Sequence, residues 1–421
     1  MTPRTLVVTH TYPWPAIGGG AIRMARTLAA LERRGPVDVV CILHREAAAA
    51  RRDTSAPGVE RLLVVSRPSP ATGPLARAVW LVRGRLPTMR SADYGPVRTE
   101  VGPWIAERRY DLVWLGCGTE GFVALSPVLP TDVPVVANLD DLEDDKIASR
   151  LAAETAAGAA RGPWGRWRPA AVATRLRDRL EVRRWRRLHA TMAEAVARVV
   201  VCSDDDRQRL RDQGAGDAVV VPNVYPAPER PLGRLAVGSP PTLTLIGTLD
   251  YRPNADAAEV MVRQVLPTVR RAVPDAELRL VGRAGRGTAE LARSAGVVAT
   301  GMVDDIDAEL ARADVAVVPI RFGSGTRIKI LEAFAHRIPV VSTTMGAAGL
   351  AVVDGRELLI ADEPVAFATA CVTLLRDEVE RERLVTAAER HWQERYRPEA
   401  LERVVDELVD ELVPPAPASG G

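Results

Sequence analysis

Arg321-Phe322-Gly323-Ser324-Gly325-Thr326-Arg327-Ile328-Lys329-Ile330-Leu331-Glu332-Ala333 follows directly on the apolar run Val315-Ala316-Val317-Val318-Pro319-Ile320. The run reads as a buried strand, the small residues as a turn, and the remainder as a helix that opens with two cations. Such a turn leaves backbone N–H groups free at the positive end of a helix dipole, a natural seat for phosphate. Arg327 and Lys329 add formal positive charge, and Glu332 can accept hydrogen bonds from a pair of sugar hydroxyls. Diphosphate plus ribose means a nucleotide. The plainer reading is a strand–turn–helix connection with solvated charges. In it Lys329 and Glu332, three positions apart, make an intrahelical ion pair worth roughly tenths of a kcal/mol.

Outward from this stretch, strand and helix patterns alternate along the chain. Before it, strands are expected at Leu6 to Thr9, Val37 to Leu43, Arg61 to Val65, Leu112 to Leu115, Val133 to Ala137, Val199 to Cys202 and Ala218 to Val221. Ala21 to Arg34 and Val97 to Arg109 carry helical periodicity between them. Val224 to Pro241 is rich in proline and glycine, has no apolar period, and reads as a linker. The alternation then restarts with strand Thr242 to Ile246, helix Ala255 to Val273, strand Glu277 to Val281, strand Val315 to Val318 and strand Val340 to Ser342. Short, nearly all-apolar strands separated by helices imply parallel sheets covered on both faces.

The expected organisation is therefore α/β, with two doubly wound Rossmann-like domains, 1–223 and 242–396, joined by the linker 224–241 and facing each other across a ligand cleft. A charged helical stretch, Glu380 to Leu412, should kink at Pro398. Residues 413–421 should be a disordered tail.

Composition bounds the function classes. The chain has 421 residues, too many for one core. A formal charge of +2 argues against a dedicated nucleic-acid binder. Cys41, Cys117, Cys202 and Cys371 lie far apart and read as core residues of a reducing compartment. No signal-peptide layout and no membrane-spanning apolar run is visible, so the cytoplasm is the expected location.

Other segments hold candidate chemistry. The loop Thr9 to Gly20, with His10 and the triple glycine Gly18-Gly19-Gly20, joins the first strand to the first helix and permits close ligand approach. Arg23, one turn further, faces a cleft or water. Asn138 to Lys146 is acidic and follows a strand end; Asp140 and Asp141 could bind sugar hydroxyls, act as acid or base, or cap the next helix. No metal is expected there, since the group lacks histidine. Arg161 to Arg187 carries ten arginines against two acids, with Trp164, Trp167 and Trp185 interleaved. It is a solvated helix face, or a peripheral contact with anionic membrane at the inner face, or a guide for an anionic acceptor.

Taken together, these pieces resemble the glycosyltransferases of family 4, which have the GT-B architecture, and most closely the branch of exopolysaccharide and natural-product sugar transferases. The matching residues are Gly18-Gly19, Cys202 to Asp206, Val221-Pro222-Asn223, Ile246 to Asn254, Leu280-Val281-Gly282, Thr300 to Asp305, and Gly323 through Ala333. The resemblance implies transfer of a sugar, with retention of configuration and without a metal, from a nucleoside diphosphate sugar to a hydroxyl acceptor such as a saccharide, a polysaccharide precursor or a natural product. No resident cofactor is implied; the nucleotide sugar is a co-substrate. Glu332 would hold the ribose, while Ser324, Gly325 and Thr326 would face the diphosphate and sugar. Gly247 and Gly282 would line the donor, and Gly301, Met302 and Val303 would read the base. The resemblance puts Gly18 and Gly19 on the acceptor side and implies that the final helix, 397–412, crosses back to the first domain; His10, Asp140 and Asp141 are further acceptor-side candidates. Ser324 stands where the family has the first glutamate of its Glu-x7-Glu motif, and the usual arginine and lysine after the first strand of the second domain are missing apart from Arg252. Stabilisation of the leaving diphosphate is therefore assigned to Arg327 and Lys329. Two rivals stay open, a sugar-nucleotide epimerase on the same architecture and a non-catalytic nucleotide-binding partner protein.

Overall fold

A computed structural model describes residues 2–16, 18–51, 56–69, 93–160, 169–229, 232 and 240–414. Two compact units emerge, one of Met1–Leu151, Gly158–Pro222 and Glu399–Gly421, the other of Ala152–Ala157 and Asn223–Pro398.

In the first unit the strands are β1 (Thr5–Thr9), β2 (Val37–Leu43), β3 (Arg61–Ser66), β4 (Leu112–Leu115), β5 (Val135–Leu139), β6 (Arg198–Val201) and β7 (Val219–Val220). They form one parallel sheet in the order β3-β2-β1-β4-β5-β6-β7. β1, β2 and β4 are buried along their whole length, which is why their sequences run apolar instead of alternating. The helix Gly19–Arg34 turns toward this sheet a stripe of buried residues including Ala21, Met24, Leu28 and Leu31.

The second unit repeats the plan with β8 (Thr242–Ile246), β9 (Glu277–Val281), β10 (Val297–Gly301), β11 (Val315–Val318), β12 (Val340–Ser342) and β13 (Leu359–Ile360). The order β10-β9-β8-β11-β12-β13 is again fully parallel. Its core gathers Leu245, Leu280, Val317, Ile330, Phe334 and Phe367, all buried. In each sheet the order reverses between the first strand and the fourth. Those reversals, β1/β4 and β8/β11, are where a doubly wound sheet opens a crevice beyond its strand ends.

Several boundaries differ from expectation for identifiable reasons. The helix expected from Ala255 to Val273 has three parts, Arg252–Val260, a π-helical turn Met261–Val265, and Leu266–Ala272. Pro267 lacks an N–H and its ring crowds the preceding turn, so the ladder widens just before it. The expected kink at Pro398 is a full break between helices Glu378–Arg395 and Pro398–Leu412. A residue before proline is driven out of the helical region, and proline restarts the helix at its first position. The last helix packs in the first unit, where Arg33 pairs with Glu402 at 2.8 Å and Arg34 and Arg198 pair with Asp410 and Glu411. Strands β10, Val-Val-Ala-Thr-Gly, and β13 are additional to those expected, and β13 at two residues is too short to show a period. Val224, placed in the linker by sequence, is fully buried, so the opening of that segment belongs to a packed unit. Most of the remaining linker, the first part, 161–168, of the membrane candidate 161–187 with Trp164 and Trp167, and the tail from 415 lie outside the described residues.

Candidate active site

In the second unit the glycine loops after β8, β9, β10 and β11 converge at the reversal point. Gly247 N–H donates to Val281 O at 2.9 Å, and Gly282 N–H donates to Gly301 O at 2.9 Å, so three strand ends are tied side by side. Gly282, at φ 128°, admits no side chain, because a Cβ there would meet Gly247 O at 2.2 Å. A Cβ on Gly247 would lie 2.9 Å from Lys329 Nζ, which ties the β8 loop to the helix after β11.

That helix, Ile328–Ala335, buries Ile330, Leu331, Ala333 and Phe334 against the core. Its hydrophobic face therefore fixes where its N-terminus points. Arg327 is the N-cap residue and gives no side-chain cap. None of the backbone N–H groups of Gly325, Thr326, Arg327, Ile328 and Lys329 finds a hydrogen-bond partner among the described residues. Five consecutive amides without partners among the described residues, at the positive end of a helix, are an arrangement that can hold an anion. The turn itself is braced. The Arg327 guanidinium donates to Ser324 O at 2.5 Å and Gly325 O at 2.8 Å, and Asn223 Nδ2 donates to Thr326 Oγ1 at 2.6 Å. Arg327 thus ties down the turn's carbonyls, and its positive charge sits in the turn itself.

Lys329 and Glu332 do not pair with each other among the described residues. Lys329 Nζ donates to Asn254 Oδ1 at 3.0 Å, whose Nδ2 in turn donates to Thr248 O at 3.0 Å. Burial, and secondarily the like charge of Arg327, pull the Lys329 ammonium down to about 8, with Glu332 opposing. Glu332 Oε1 accepts from the Tyr225 hydroxyl at 2.8 Å. Burial raises the Glu332 carboxyl above its ordinary value, while Tyr225 and Lys329 hold it back. As whole residues, Lys329 and Glu332 are each half-buried. Met302, just past β10, is 72% exposed, beside the partly buried Gly301 and Val303. Of the expected donor residues, Ser324, Gly325, Thr326, Arg327, Lys329, Glu332, Gly247, Gly282 and Gly301 are thus brought to one end of one sheet.

The first-unit candidates form a separate group. His10 and Gly18 are exposed on the loop after β1; Gly18 stands at φ 85° as the N-cap of the following helix, whose first residue, Gly19, is also exposed. Arg23 faces neither cleft nor water: it is 2% exposed. Its guanidinium meets Asp140 at 2.6 Å and donates to Val221 O and Asn138 Oδ1, each at 2.8 Å. Asp140 also accepts from Asn138 Nδ2 at 2.6 Å, and Asp141 pairs with Lys146 at 2.7 Å. Both carboxylates are therefore engaged in cross-links of the fold. Trp185, expected among the interleaved aromatics of the arginine-rich segment, is buried against His189 at a ring distance of 5.8 Å, so it offers nothing to a membrane. Exposed Leu176 and Leu180 lie on the same helix. Among the described residues no group of three or more His, Cys, Asp or Glu gathers as metal ligands would, and no helix is long and apolar enough to cross a membrane.

Sequence reasoning left Asn254, Asn223 and Tyr225 without roles. Asn254 and Asn223 stand inside quoted motif pieces, a signal that was available. Tyr225 sits in the stretch read as linker, where nothing local marks it.

The two parallel sheets with their matched strand orders define the class, a GT-B fold. Residues 240–377 match the family model described as glycosyl transferases group 1. A phosphatidyl-myo-inositol mannosyltransferase of Mycobacterium leprae is 32% identical over 205 residues, 46% of this chain and 53% of the relative. The chain spans about half the length of the curated relatives it matches. Among solved structures, Anabaena HepE with UDP and glucose superposes with a TM-score of 0.66 at 14% identity, covering 97% of this chain and 100% of that one. Sucrose-phosphate synthase from Thermosynechococcus elongatus gives 0.67 at 17% identity, covering 98% and 99%.

Proposed function

We propose that the protein transfers a glycosyl group from a nucleoside diphosphate sugar to a hydroxyl acceptor, with retention at the anomeric carbon. The observation that carries this reading is the run of amides without partners from Gly325 to Lys329, beside the Lys329 ammonium and one turn before the Glu332 carboxylate. In the reaction the bond from the anomeric carbon to the diphosphate oxygen breaks, and a bond to the acceptor oxygen forms. The acceptor proton passes to the departing phosphate oxygen on the same face, so no protein base is required. Charge builds on the diphosphate as it leaves, and the amides and Lys329 are already aimed at that place. Arg327 contributes by bracing the turn and by its nearby charge. Neutralisation by these fixed groups leaves no step that needs a metal ion. The mannosyltransferase relative and the structural neighbour with UDP and glucose support a nucleotide-sugar donor. Exposed arginines of the helix Pro169–Ala195, such as Arg179, Arg183 and Arg187, offer an anionic membrane or acceptor a peripheral contact.

The test is an assay of nucleoside diphosphate release from UDP- and GDP-sugars, with and without hydroxyl acceptors. Release should rise at least about tenfold when a suitable acceptor is present, because ordered binding limits hydrolysis. Conversion of the donor to an epimer without any acceptor would replace transfer with isomerisation. Full inertness toward every donor would leave only a nucleotide-binding role.

A further inference from the structure

We propose that Tyr225 is a positioning residue of the donor site: it pins the Glu332 carboxylate by one oxygen so that the other faces a ribose diol. The inference rests on the reading of Glu332 as the ribose-binding residue. A free glutamate rotates about three side-chain torsions and presents either oxygen, and ordering it on ligand arrival costs affinity. Here Oε1 is occupied by the Tyr225 hydroxyl at 2.8 Å, while Oε2 takes no hydrogen bond from any described residue.

Tyr225 is itself held on every side. Its N–H donates to Tyr396 O at 2.9 Å, and its carbonyl accepts from Trp392 Nε1 at 3.1 Å. Its ring meets His336 edge-on at 6.0 Å, and Tyr396 is anchored in turn by its hydroxyl to Leu350 O at 2.7 Å. A donor locked by backbone and ring transmits that rigidity to whatever it hydrogen-bonds. Burial and the adjacent Glu332 push the phenol well above its ordinary range, so the hydroxyl keeps its proton and remains a donor. The residue lies three positions past the end of the first unit, at Pro222, and two past Asn223, which holds Thr326. The opening of the segment read as linker thus grips both ends of the donor site, the turn through Asn223 and the ribose residue through Tyr225.

The test compares calorimetric binding of UDP and GDP with their 2′,3′-dideoxy counterparts, in the parent, Tyr225→Phe and Glu332→Ala proteins. Tyr225→Phe keeps the ring and loses only the hydroxyl. It should weaken the ribonucleotide about tenfold, the scale of one hydrogen bond to a charged group, and leave the dideoxynucleotide within about twofold. An unchanged ribonucleotide affinity, or an equal loss on both ligands, would overturn the proposal; the equal loss would make Tyr225 a plain packing residue. Glu332→Ala separates the layers. If it erases the preference for the ribose while Tyr225→Phe retains it, the positioning role fails alone. If Glu332→Ala leaves the preference intact, or the parent binds neither nucleotide, the ribose site and the role of Tyr225 fall together.

Discussion

Replacing Lys329 with methionine should lower turnover about 100- to 1000-fold, the cost of removing one preorganised donor aimed at developing charge. Methionine keeps the length of the aliphatic stem, so packing beside Gly247 and Asn254 should survive and the melting temperature should move by only a few degrees. The pH profile supplies a second, independent readout. The ammonium is depressed to about 8 by burial first and by Arg327 second. Below pH 8 it is protonated and attracts the diphosphate in full. Above pH 8 the attraction fades, down to the point where the bound diphosphate, which raises the value again, no longer keeps the proton. The second-order rate constant should therefore fall as pH climbs past about 8. In Lys329→Met that alkaline limb should vanish. Turnover equal to the parent, or an alkaline limb that persists unchanged, would move the phosphate site away from this helix.

Glu332→Ala should weaken nucleoside diphosphate binding by about 2–4 kcal/mol through loss of charge-assisted hydrogen bonds to the ribose. Titration calorimetry measures it directly, and unchanged affinity would remove Glu332 from the ribose site. The folded protein pays for this carboxylate: burial lifts its ionisation above the ordinary value. A carboxyl whose folded value is raised favours its protonated form in the folded state, so its ionised form detracts from stability at neutral pH. Glu332→Gln, which keeps an acceptor for Tyr225 and removes the charge, should thus leave the free protein as stable as the parent or more so, while still binding nucleotide more weakly.

Much of this was readable in the chain, and the reasons are physical. Fully buried parallel strands have no polar face, so runs such as Val37–Leu43 and Val315–Val318 stand out by hydrophobicity alone. The turn from Gly323 to Arg327 was legible because a backbone that must leave its amides free selects small residues and adjacent cations. What escaped has equally definite causes. The short edge strand β13 gains its conformation from pairing with β12, and two residues carry no period. Arg23 looked like any helix-surface arginine, since nothing local shows that Asn138, Asp140 and Val221 converge on it from other strand ends. The charge of Arg327 is visible in the sequence but its direction is not, because its return to the Ser324 and Gly325 carbonyls depends on the turn's shape. Tyr225 was invisible for a stronger reason. Its value to the site comes from Trp392, Tyr396 and Glu332, all more than a hundred positions away in the chain.

A crystal structure with nucleoside diphosphate bound is the most direct measurement. The phosphates should sit on the amides of Gly325 to Lys329 within hydrogen-bond reach of Lys329 Nζ, with both ribose hydroxyls on Glu332. Phosphates resting anywhere else in the protein, with those amides unoccupied, would contradict the assignment.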